Sequence, residues 1–148
     1  MIMAVPYYRR SVSKKEYFYN FKKIQKEIIS LLLRDFGIRE TDDEICIVPA
    51  WMVEQKRKEI LESLSSISAY ISRASAVYPT DEIMKKERIV LQNRAIQECF
   101  VLHDNIQFCS EIFPVKNKNV YTQIAYNIQQ EVLFLKYWKK STNKITVG

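Results

Sequence analysis

The stretch TDEIMKKERIVLQNRAIQECFVLHDNIQFCSEIFP, residues 80–114, decides the fold. Within it Gln92, Ala95, Cys99, Leu102, Ile106, Cys109 and Phe113 recur at alternating spacings of three and four, the period of a single helical face. Thr80 stands where an N-cap belongs, Asp81 and Glu82 suit the positive end of a helix dipole, and Pro114 stops the run. The stretch predicts one helix over about 80–113, and a helix with such a one-sided apolar stripe needs partners to bury it.

The same period returns on both sides. Over about 13–36, Tyr17, Phe21, Ile24, Ile28 and Leu31 form a stripe, and Gly37 is placed to end it. After a loop holding Asp42, Asp43, Glu44 and Pro49, a second stripe over about 50–77 uses Val53, Ile60, Leu64, Ile67, Ile71, Ala74 and Tyr78, closed by Pro79. The last, over about 117–140, uses Tyr121, Ile124, Ile128, Val132, Leu135 and Trp138, with STNKITVG expected as a frayed tail. Short connections at 78–80 and 113–116 require antiparallel neighbours. The expected fold is all-α, an antiparallel up-down-up-down four-helix bundle occupying residues 1–148 as a single domain. Two glycines and four prolines are too few for a many-stranded sandwich or barrel.

At 47% hydrophobic and 27% charged residues, the chain has the composition of a folded domain. Cys46, Cys99 and Cys109 are odd in number and lack the spacing of a zinc or redox motif, so reduced thiols and a cytoplasmic setting are expected. The apolar stretch before Pro6 is too short for a secretory signal, and no apolar run approaches the roughly 20 residues of a membrane span.

Charge is segregated along the chain. The net charge is +6, yet residues 1–23 carry Arg9, Arg10, Lys14, Lys15, Lys22 and Lys23 against Glu16 alone. Residues 114–148 carry Lys116, Lys118, Lys136, Lys139, Lys140 and Lys144 against Glu131 alone, while the middle of the chain is net acidic. In the expected topology the first helix starts where the last one ends, so both basic ends share a pole. Arg73, Lys85, Lys86 and Arg88 fall toward it as well, and the acidic loop goes to the other. Such a concentration of cations attracts polyanions by counterion release, and nucleic acid is the natural partner. Tyr7, Tyr8, Tyr17, Phe18 and Tyr19, interleaved with the first cluster, offer rings for base stacking, although Tyr17 and Phe21 lie on the buried stripe. For any single lysine, a solvated helix end remains the plainer account.

The chemical inventory points away from catalysis. The one histidine, His103, sits four residues after Cys99; a metal site needs three or four ligands, so packing is the expectation. Phe100 stands where a di-iron bundle would place the glutamate of its Glu-x-x-His motif, and no glycine-rich phosphate loop exists. No catalytic residue, metal or cofactor is expected.

Three short motifs carry a resemblance. Pro6-Tyr7-Tyr8-Arg9-Arg10-Ser11, Arg73-Ala74-Ser75-Ala76-Val77-Tyr78-Pro79, and the set Arg88, Gln92, Arg94, Ala95 and Ile96 resemble the accessory variability determinant family, Avd, of diversity-generating retroelements. That family is related to the four-helix-bundle proteins encoded in intervening sequences of large-subunit ribosomal RNA. The likeness spans about residues 6–138; Ser75 stands where the family has asparagine, and Ile89 where it has a second arginine. The resemblance implies a non-enzymatic homopentamer whose basic surface engages a reverse transcriptase and RNA, with DNA as a further ligand. Arg9, Arg10, Arg73, Arg88 and Arg94 are the contacts it implies. An RNA-associated bundle of the intervening-sequence type is the nearest alternative, and an interaction scaffold whose charge serves solubility is a third.

Overall fold

A computed structural model describes residues 7–36, 49–115 and 117–147, with side chains from residue 16 onward in the first of these. Four helices follow in order: α1 (Tyr7–Asp35), α2 (Ala50–Ala76), α3 (Glu82–Ile112) and α4 (Lys118–Asn143). No strand occurs among the described residues. At 1.5 Å per residue each helix is roughly 40–47 Å long. Gly37, the acidic residues 42–44, Cys46, Lys116 and the side chains of Tyr7, Tyr8, Arg9, Arg10, Lys14 and Lys15 lie outside what is described.

Cross-helix contacts fix the directions. Along α1, Tyr17 stacks on Trp138, Asn20 and Glu27 bond Asn127, and Asp35 accepts from Tyr121, so α4 descends as α1 rises. Tyr17 meets Ser75 while Arg57 donates to the Phe36 carbonyl, making α2 antiparallel to α1. Arg88 reaches Ala74 and Lys56 reaches Asn105 between α2 and α3; Gln92 reaches Thr142 and His103 faces Gln129 between α3 and α4. The result is an up-down-up-down bundle. Its walls are unequal: α2–α3 and α3–α4 pack closely, α1 follows α4 less tightly, and the backbones of α1 and α2 come near each other at few points.

The core is the set of stripes. Every stripe residue expected on α1, α3 and α4 is buried, as are Ile60, Leu64, Ile67, Ile71 and Ala74 of α2. Val53 is partly buried and packs against the core. Tyr78 departs from its expected place and is 73% exposed. The helix ends at Ala76, and Val77 is already extended (φ −88°, ψ 117°), which takes Tyr78 off the helical face ahead of Pro79.

Three boundaries also shift. α1 starts at Tyr7 rather than near Ser13, so Tyr7 and Tyr8 belong to the helix instead of preceding it. The cap of α3 is Asp81, not Thr80: its extended backbone lets the carboxylate accept from the Met84 amide at 2.8 Å, and its negative charge meets the dipole. Finally, α4 runs on through Ser141 and Asn143, because Thr142 is buried and accepts from Gln92 Nε2 at 2.9 Å while donating to the Trp138 carbonyl. A residue so tied does not fray.

Asp81→Ala should therefore lower unfolding free energy by about 1 kcal/mol, with Thr80→Ala near neutral, in chemical denaturation. Ile128→Ala, emptying a fully buried position, should cost roughly 2–5 kcal/mol.

Candidate nucleic-acid interface

The pole where α1 and α3 begin and α2 and α4 end is organised around Trp138. Tyr17 stacks on the indole, with centroids 4.1 Å apart and planes 11° from parallel. The Arg88 guanidinium lies 5.3 Å from the same ring, and its Nε donates to the Ala74 carbonyl at 3.0 Å, satisfying an acceptor in the last turn of α2. Burial depresses the pKa of Arg88 and raises that of Tyr17. Arg88 is thus engaged in joining helices, a role its charge and position at a helix start did not suggest.

Beside this node, α3 and α4 frame a groove of about 410 Å³ lined by Asn93, Ile96, Gln97, Lys136, Lys139, Lys140 and Asn143. The local reason is helical arithmetic. Lys136 and Lys140 are one turn apart on α4, Asn93 and Gln97 one turn apart on α3, and Lys139 and Asn143 lie between the lysine pair and the buried stripe. Ile96 supplies an apolar floor, being buried itself. Phe100 is 50% exposed with the Lys136 ammonium 5.9 Å from its ring. Cations for phosphate, amides for polar edges and rings for stacking are the elements of single-strand binding surfaces.

The remaining expected residues divide by position. Lys86 and Arg73 are exposed toward the same pole, and Lys85 Nζ donates to the Ile145 carbonyl at 2.9 Å, holding the end of α4. Lys22 and Lys23 are exposed on α1, with Lys22 5.4 Å from the Phe18 ring. Arg94 is exposed on α3 and does not line the groove. Asn93, Gln97, Asn143 and Phe100 were not expected; the signal was the one-turn spacing of two amides opposite two lysines, visible only once α3 and α4 are paired.

Among the described residues, ion pairs join Arg34 with Asp35, Arg57 with Glu54 and Lys56 with Glu59, all away from the groove. Asp81, Glu82 and Glu87 are exposed near the basic pole, but among the described residues no carboxylate pairs with Lys136, Lys139 or Lys140.

Groups with other chemistry are accounted for by packing. Cys99 and Cys109 are buried thiols whose pKa burial raises, that of Cys109 to about 12, so they are poor nucleophiles. His103 Nε2 lies 3.3 Å from Gln129 Nε2. No cluster of three metal-ligating side chains, and no helix long and apolar enough to cross a membrane, occurs among the described residues. No family model, curated protein or solved structure matches the chain.

Two arginines at the same pole should behave oppositely. Arg88→Ala should cost about 1–3 kcal/mol in denaturant unfolding through the lost charged hydrogen bond and ring contact, whereas Arg73→Ala should stay within about 0.5 kcal/mol.

Proposed function

We propose that this protein is a non-catalytic, nucleic-acid-binding accessory subunit of a diversity-generating retroelement, acting in the cytoplasm with the element's reverse transcriptase and template RNA. The observation that carries the nucleic-acid reading is the α3/α4 groove. Three lysines that pair with no carboxylate among the described residues converge there with three amides, beside the half-exposed ring of Phe100. Exposed lysines of this kind add little to stability and repel one another, so their clustering is a cost to the free protein that a polyanion offsets.

The retroelement reading rests on the motif resemblance, and the bundle is the fold that resemblance implies. In this reading the bundle performs no chemistry. It holds RNA for a partner enzyme that copies the template, and its oligomer, a pentamer by the same resemblance, multiplies weak sites into one extended surface. Exposed apolar residues such as Leu33 and Trp51 provide material for subunit contacts. The intervening-sequence alternative keeps the RNA and drops the reverse transcriptase.

In fluorescence anisotropy with single-stranded RNA, charge reversal of Lys136, Lys139 and Lys140 together should weaken binding at least 100-fold. It should also reduce the slope of log affinity against log salt by about 2, with helicity unchanged. Reversal of Arg9, Arg10, Lys14 and Lys15 should abolish binding with helicity and assembly retained. Unaltered affinity in both variants would refute the nucleic-acid assignment. Tagged protein should bring down a reverse transcriptase encoded beside its gene; recovery of ribosomal RNA without such an enzyme favours the alternative.

A further inference from the structure

Glu131 is the one carboxylate in the basic C-terminal segment, and it is not at the surface. Its relative exposure is 0%, and it faces the seam between α4 and α1. Oε1 accepts from Asn20 Nδ2 at 3.2 Å, and Oε2 has no hydrogen-bond partner among the described residues. No cation pairs with it among the described residues. The seam around it is polar and shared by the two helices. Asn20 Nδ2 also donates to the Asn127 carbonyl, Asn127 Nδ2 donates to Glu27 Oε1, and Gln123 donates to Asn127 Oδ1.

The other groups that sense this carboxyl bring no compensating charge. Tyr17 of α1 and Cys99 of α3 are neutral near pH 7, and a negative Glu131 opposes ionisation of both. Glu27 of α1, one amide away, has the same sign. Arg88 of α3 acts electrostatically on Tyr17 and is spent on Ala74 and Trp138. From α2, Ser75 bonds the Tyr17 hydroxyl and carries no charge.

An ionised carboxylate in this position would be dry, with a single neutral donor, a state that strongly favours hydration. Hydration requires the seam to part, and α1 is the helix free to move. It packs along α4, its backbone approaches that of α2 closely at few points, and it meets α3 only through side chains of the shared core, whereas α2, α3 and α4 hold one another through two close seams. We infer that Glu131 is a proton-operated latch: protonated, it seats α1 on α4, and on losing its proton to solvent it opens the α1–α4 seam while the three-helix remainder stays packed. The inference stands on the seam alone and is independent of what the bundle binds.

The direction follows from linkage. The seated carboxyl is held at about 8 by burial, against an ordinary value near 4.5 once α1 is open and water reaches it. The open form therefore binds fewer protons, and the opening constant rises about tenfold per pH unit between those values and levels off above pH 8.

Hydrogen–deuterium exchange of the intact chain, expressed as protection factors from pH 5.5 to 9, reads this directly. Amides of residues 20–34 should lose protection about tenfold per unit up to about pH 8, while buried stretches of α2 and α3 change little. In Glu131→Gln, and in a second, apolar variant, Glu131→Met, α1 protection should be high and independent of pH. Parallel loss of protection in α2 and α3 would mean global unfolding and overturn the latch. So would a flat α1 profile in the unaltered protein, or a tenfold slope retained in either variant.

Discussion

All four helices meet at the indole of Trp138. Tyr17 brings α1 to it, Arg88 brings α3, and the same arginine carries the contact to the end of α2 through the Ala74 carbonyl. This node matters because the apolar stripes specify which faces go inward but fix axial register weakly, since one aliphatic turn resembles the next. A flat ring stacked at 4.1 Å and a guanidinium anchored to a carbonyl tolerate no slip of a full turn. At the far pole the Tyr121 hydroxyl, donating to Asp35 at 2.7 Å, and Arg57 on the Phe36 carbonyl do the same for α1. Between these pins the aliphatic side chains fill the interior.

The groove inherits its shape from that register. Lys136, Lys139 and Lys140 surround Trp138 in sequence, so once the indole points inward they project to the flanks of α4. The Gln92–Thr142 bond draws α3 alongside at the depth where Asn93 and Gln97 face them. Lys56, by contrast, pairs with Glu59 while also bonding Asn105 and lying 4.4 Å from the Phe108 ring. The groove lysines have no such engagement with carboxylates among the described residues. The contrast is therefore between cations used to finish the fold and cations left over by it.

Much of the bundle was legible because a period of three and four is hard to produce by accident over thirty residues, and Pro79 and Pro114 punctuate it. What was missed has specific physical causes. Thr80 and Asp81 are both competent caps, and only the backbone at Asp81, with φ −141° and ψ 177°, chooses between them. Thr142 looks like a tail residue until Gln92 arrives from another helix. Arg88 was counted with the free cations because a sequence gives its charge without its neighbours. Arg9, Arg10, Lys14 and Lys15, whose side chains lie outside what is described, are legible in the sequence as a cluster of charge.

Glu131 is the most instructive of these residues, since its position was in plain view. Ile124, Ile128, Glu131, Leu135 and Trp138 follow spacings of four, three, four and three, so periodicity alone puts the carboxyl on the buried face. Residue type argues the other way, because glutamate is rarely buried without a partner, and the charge balance of the C-terminal segment sets Glu131 against its lysines. Periodicity prevailed because a carboxyl can discard its charge, whereas the helix cannot turn one side chain outward without exposing Ile128 and Leu135. A neutral Glu131 also leaves the C-terminal segment more positive at pH 7 than its formal composition implies. The buried acid and the basic groove are thus two results of one fact: α4 must present the same face inward along its whole length.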